Sequence, residues 1–171
     1  MTPEFSRPER LDTIGGEARE VAIAADAEER RRLAARFGLI AIERLEARFT
    51  IRRDIAGIRA DGRVTAAVAQ ACSVTGDPLP ATVDETVALR FVPPGESGEE
   101  VELDEDALDT IEIEGGAIDL GEAAAETLAL ALDPFPRGPR AAEALREAGV
   151  AGEDQAGPFG ALAALKGKLG K

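Results

Sequence analysis

The stretch IERLEARFTIRRDIAGIRADGRVTAAVAQAC, residues 42–72, decides the fold. Leu45, Ala47, Phe49 and Ile51 alternate with Arg44, Glu46, Arg48, Thr50 and Arg52. A period of two sends one set to a buried face and the other to water, so the segment reads as a half-buried antiparallel strand. Asp61-Gly62 is the strongest hairpin signal in the chain, because both central residues of a type I′ turn need φ > 0. With Ala60 opposite Arg63, Ile55 faces Val68 and Ile51 faces Cys72. Val64, Val68 and Cys72 then share the apolar face with Ile51 and Ile55, so turn and hydrophobic pattern agree on one register.

Upstream, residues 20–25 read as a short strand around Val21 and Ile23. Asp26 with Glu29 three residues on is a capping box. It opens a helix over 27–37, stopped by Gly38, with Leu33 and Phe37 inward. Downstream, Gly76-Asp77-Pro78 breaks the second strand, and a third runs near 82–92 with Val83, Val87, Leu89 and Phe91 inward. A strand over 111–114, a Gly115-Gly116 turn and the return of Ile118 follow. Asp119 and Glu122 give a second capping-box match before a helix over 120–132, which buries Leu120, Ala124, Leu128 and Ala131. A short helix after Pro139 stops at Gly149. Pro158 opens a last helix carrying Phe159, Leu162 and Leu165. The expected fold is α+β: a curved antiparallel sheet packed by two main helices, with a helical C-terminal tail. Residues 1–139 form the core, with an acidic loop near 95–109, and 140–171 form the tail.

The chain has 171 residues, with 20 Lys and Arg against 33 Asp and Glu. It contains no His, Trp or Tyr and one Cys. Without histidine there is no Ser-His or Cys-His nucleophile pair and no zinc site of the usual Cys/His kind. One Cys forms no disulfide within the chain and suits a reducing cytosol. No run approaches the ~20 apolar residues of a membrane span. The 4% aromatic fraction argues against a base-stacking platform. The charge is uneven: residues 96–135 hold 14 acids and no base, while residues 1–63 hold 13 bases and 12 acids. The acidic block is a solvated face or a docking surface for something basic.

Arg44, Arg48 and Arg52 project from one strand face, with Arg53 beside them. Residues at i, i+4 on a strand lie about 13 Å apart. The four therefore form a row that suits a phosphate backbone, or a surface face paired with the chain's own acids. Cys72, at a strand end with nothing basic adjacent, reads as structural. Glu112, Glu114, Asp119 and Glu122 are close in sequence, yet capping explains the last two and no EF-hand spacing is present, so no metal is expected.

Three segments together resemble a known family: CSVTGDPLPATVDETVALRF (72–91), DTIEIEGGAIDLGEAAAETLALALDPFPRGP (109–139) and PFGALAALK (158–166). They look like the alphaproteobacterial branch of the YceD family, the large ribosomal RNA subunit accumulation proteins. The resemblance implies a cytoplasmic bacterial protein needed for synthesis, processing or stability of 23S rRNA. It implies no enzymatic activity, no cofactor and no catalytic residue. Genes of the family often neighbour that of a small basic large-subunit ribosomal protein. Other branches place more than one Cys in comparable regions, so a metal or redox role is not expected of Cys72 alone. The motif positions have structural explanations. Cys72, Thr75, Gly76 and Pro78 make a strand end and turn. Glu114, Gly115, Gly116, Asp119 and Glu122 make a turn and a capped helix. Asp133, Pro134, Pro136 and Arg137 make a helix stop.

The expected protein is a non-catalytic, monomeric factor off the membrane, with precursor rRNA or a large-subunit ribosomal protein as partner. In one mechanism the acidic stretch from Glu96 to Glu126 escorts a basic ribosomal protein. In the other the Arg row and Lys166, Lys168 and Lys171 contact RNA. A carboxylate or metal hydrolase is the third class.

Overall fold

The computed structural model of the chain describes residues 3–95 and 109–150. The chain divides into two units, 1–70 with 80–133 and 71–79 with 134–171. The expected acidic loop, apart from its ends, and the helix from Pro158 lie outside the described residues.

The first unit holds strands β1 (Pro8–Arg10), β2 (Arg19–Ala24) and β3 (Ala41–Asp54), and most of β4 (Gly57–Ala71) and β5 (Pro78–Val92). It also holds β6 (Asp109–Glu112), β7 (Ala117–Asp119) and helices α1 (Ala27–Phe37) and α2 (Leu120–Ala131). One sheet runs β2-β3-β4-β5-β6, and β1 pairs with β7 in a second. The fold is α+β. The large sheet is open and not strongly curled, against the expectation of a curved sheet. Its β6 edge is parallel to β5, with Leu89 opposite Asp109 and Val92 opposite Glu112.

α1 forms where its local signals place it. The Asp26 carboxylate accepts the Glu29 N–H at 2.8 Å, and the Asp26 N–H donates to Glu29 Oε2 at 2.8 Å. Gly38 ends the helix at φ 65°. Asp119 caps α2 by accepting from the Gly121 and Glu122 N–H groups. The second capping box is half present, because the Glu122 carboxylate instead takes both terminal nitrogens of Arg36, at 2.6 and 3.0 Å.

The β3–β4 hairpin corrects the sequence reading. Its loop is Ile55-Ala56, with Asp54 opposite Gly57 and Thr50 opposite Asp61. The Asp54 carboxylate closes the loop by accepting the Ala56 N–H at 2.8 Å. Ile51 therefore faces Ala60 rather than Cys72, and Ile55 stands fully in solvent at the turn. The slip is even-numbered, so faces are kept and Val64 and Val68 remain buried. Asp61-Gly62 is not a turn because Gly62 sits opposite Phe49 inside the strand pair. A Cβ there would lie 2.7 Å from the Arg48 carbonyl oxygen and 2.9 Å from Phe49 Cε1. The glycine makes room for the ring.

The core lies on the inner sheet face beneath the two helices. Leu33, Leu45, Phe49, Ile51, Ile58, Ile118, Leu120 and Leu128 are almost wholly removed from water. Phe5 is as well, from a segment whose composition gave no sign of order. Ala131, expected inward, is exposed. Beside Phe5, the Arg7 guanidinium lies 4.7 Å over the Phe5 ring and forks onto Glu29 at 2.7 and 2.9 Å.

That pair carries a pH prediction. The Arg7 hydrogen bonds hold the Glu29 carboxyl below its usual range. The ionised form therefore favours the folded state above the unfolded pKa, and the gain is lost as pH falls through the folded pKa. Glu29→Gln is expected to cost about 2 kcal/mol at pH 7, the scale of hydrogen bonds to charged groups. The gap to wild type should shrink below about pH 4, and urea melts at both pH values check it.

In the second unit, Cys72, Thr75, Gly76 and Asp77 form a tight turn tied to residues 136–140. α3 (Ala141–Glu147) follows, and the chain turns at Gly149 with φ 76°.

Candidate nucleic-acid interface

The outer face of the large sheet belongs to the first unit. Alternation along β3 sends Arg44, Arg48 and Arg52 to this face, as the sequence requires. The observed register adds two residues that a turn at Asp61-Gly62 would separate from the row. Arg63 stands directly opposite Arg48, and Arg59 directly opposite Arg52. Two like-charge pairs therefore face each other across one strand pair, with Thr50 and Asp61 between them. Like charges in direct cross-strand apposition are destabilising.

Acids temper part of this charge. Arg63 is held by Asp84 at 2.5 and 2.6 Å, Arg59 by Asp61 at 2.7 Å, and Arg90 by Asp54 at 2.9 Å. Arg44 reaches Glu46 and Thr65 at 3.4 Å. Among the described residues, Arg48 and Arg52 donate to no carboxylate. A groove of about 370 Å³ is lined here by Ala22, Thr50, Thr86 and Ala88 and by the acids Glu20 and Asp61. Arg48 and Arg63 border it.

Arg53 does not belong to the row. Its Nε donates to the Ile14 carbonyl at 3.0 Å, and a terminal nitrogen donates to that of Leu11. It fastens the N-terminal segment to the sheet edge. The two successive arginines at 52 and 53 point to opposite faces, as strand geometry demands.

The remaining motif residues are structural in position. Asp119 accepts from Ser6 Oγ at 2.5 Å and from the Arg7 N–H at 2.8 Å, besides capping α2. Gly115 turns the chain at φ 73°, and the Gly116 carbonyl accepts the Leu11 N–H. Glu114 is exposed. The Asp133 carbonyl accepts from the buried Gln70 amide at 2.9 Å. Pro134 and Arg137 are exposed, and the Pro136 carbonyl accepts the Ser73 N–H. Among the described residues no group of three or more Asp, Glu or Cys side chains is placed to hold a metal ion.

Cys72 is buried in the turn of the second unit. Its sulfur accepts from the Gly138 N–H at 3.3 Å and the Thr75 N–H at 3.5 Å. Asp77 binds the Thr75 hydroxyl at 2.7 Å and Arg140 at 2.5 Å, which closes the knot. These donors, Gly138 first, bring the thiol down to about 6, although no base is adjacent. With the folded pKa depressed, stability rises as pH climbs from about 6 toward the ordinary thiol pKa of about 8.5, and the gain is gone once pH has fallen through about 6. Histidine, the usual titrating group in this window, is absent. A thiolate absorbance step near pH 6 is expected. The denaturation midpoint should be higher at pH 8 than at pH 5.5, with the difference abolished in Cys72→Ala.

A family profile described as large ribosomal RNA subunit accumulation protein YceD matches residues 60–166, well over half of the chain. The chain belongs to the YceD family. No curated protein and no solved structure matches it. The YceD match includes Arg63 and the whole Cys72 knot, and it leaves Arg44, Arg48, Arg52 and Arg59 outside. Membership links the protein to accumulation of large-subunit ribosomal RNA. No helix among the described residues is long and apolar enough to cross a membrane.

Proposed function

We propose that the protein is a non-catalytic cytoplasmic factor for 23S rRNA synthesis, processing or stability, acting in large-subunit assembly by holding precursor rRNA on its outer sheet face. The observation that carries this reading is the pair of opposed arginines, Arg48 with Arg63 and Arg52 with Arg59. Asp84 and Asp61 already answer Arg63 and Arg59, whereas Arg48 and Arg52 donate to no carboxylate among the described residues, so an RNA phosphate set between the strands adds the compensation those two lack. The guanidinium fork suits phosphate oxygens. The strands of this face present no exposed aromatic side chain, with Phe49 and Phe91 both buried, so contact is with the backbone and tolerates sequence.

The test is binding of transcribed 23S precursor fragments to wild type and to Arg48→Glu/Arg52→Glu, both exposed residues that bury nothing. Affinity should fall at least tenfold. The slope of log K against log salt should weaken by roughly 1.4 to 1.8, about 0.7 to 0.9 for each phosphate that is no longer neutralised. Equal affinity and equal slope would overturn the reading.

A further inference from the structure

We infer that a second surface of the first unit, a cleft between α2 and the β6–β7 segment, takes a basic protein segment whose Lys or Arg side chains are flanked by apolar ones. The cleft encloses about 750 Å³. Its floor is apolar, with Phe91, Ile111, Ile118 and Ala123. Its rim is acidic, with Glu4, Glu114, Glu122 and Glu126. Among the described residues one cation borders it, Arg36, and that guanidinium is already shared between Glu122 at 2.6 Å and Glu4 at 3.0 Å. Glu114 and Glu126 make no ion pair among the described residues.

The unmatched charge has a physical signature. Burial, then repulsion from Glu122, raises the Glu126 carboxyl above its usual range. A cation set between these groups relieves that repulsion, whereas a polyanion aggravates it. RNA is therefore the wrong occupant for this cleft. A small hydrated cation would leave the floor uncovered. Lys and Arg combine an aliphatic stem with a charged head, so the stem covers the floor while the head meets the rim. Apolar neighbours in the same segment fill the rest. This surface is built from other residues than the arginine face, so the two readings stand or fall separately.

The experiment uses the full chain and a labelled synthetic twelve-residue peptide alternating Lys with Leu. A second peptide of equal charge carries Ser in place of Leu. The Lys-Leu peptide should bind at least tenfold more tightly than the Lys-Ser one. Glu114→Gln/Glu126→Gln should weaken it at least tenfold while leaving the thermal melt and 23S fragment affinity unchanged. Arg48→Glu/Arg52→Glu should leave peptide binding intact. Equal binding of both peptides would mean charge alone and overturn the proposal. So would spermine displacing the Lys-Leu peptide at equal concentration, full binding by Glu114→Gln/Glu126→Gln, or loss of RNA binding in that variant.

Discussion

Removal of residues 1–10 is expected to abolish cooperative unfolding altogether. The segment is short and polar, with Pro3 and Pro8, and has the look of a dispensable tail. In the fold it is a strap. Phe5 is fully buried, and deleting a buried Phe side chain costs about 3 to 5 kcal/mol. Arg7 supplies the bidentate partner of Glu29, whose carboxylate is nearly buried. Losing this partner costs about 2 kcal/mol more, the scale of hydrogen bonds to a charged group. The Leu120 N–H donates to the Arg7 carbonyl at 3.1 Å, and among the described residues β1 is the sole partner of β7. The first turn of α2 is shaped to the strap. A Cβ on Gly121 would stand 2.5 Å from the Phe5 carbonyl oxygen and 2.9 Å from the Arg7 nitrogen. Together these losses match a typical total stability of about 5 to 15 kcal/mol. Circular dichroism melts and amide NMR spectra check it. A truncated chain that melts cooperatively within a few degrees of wild type would show that the strap is decoration.

Gly62→Ala is the second large effect. The added methyl meets the Phe49 ring and the Arg48 carbonyl oxygen, both held in the centre of the β3–β4 pair. Ring and backbone cannot both yield without breaking pairs on either side. Overpacking of this kind costs about 3 kcal/mol, near the top of its usual range. For a chain of this size that lowers the melting temperature by about 6 to 12 °C. Adding Phe49→Leu should recover part of the loss, because the two side chains share one site and their effects do not add. A Gly62→Ala protein as stable as wild type would mean the ring has room to move.

What the sequence disclosed follows the distance over which each signal acts. The bounds of α1 are legible, because Asp26, Glu29 and Gly38 carry their instructions within one turn of themselves. The inward set of β3 is legible because alternation is local. The hairpin register is not. Asp-Gly is a turn signal in isolation, and only the aromatic ring thirteen residues before it in the chain converts Gly62 into a packing residue. A turn at Asp61-Gly62 conceals the best part of the candidate interface, since Arg59 and Arg63 join the row only in the true register. The parallel placement of β6 escapes for a related reason, as no tight turn fixes it against β5. Nothing near Phe5 or Arg7 announces their partners, which stand far along the chain. The Cys72 knot is legible as structure but not as chemistry, because its donors include a backbone N–H from residue 138.

The strap also sets a schedule. Ser6 and Arg7 bind Asp119, 113 and 112 residues further on. A ribosome adds roughly 5 to 20 residues each second. Ser6 and Arg7 therefore wait on the order of 6 to 20 seconds for their acceptor to be made, with Phe5 uncovered. Over that interval the nascent chain is vulnerable to proteases and open to chaperones. Until residue 119 is made, Ser6 and Arg7 lack the carboxylate that holds them.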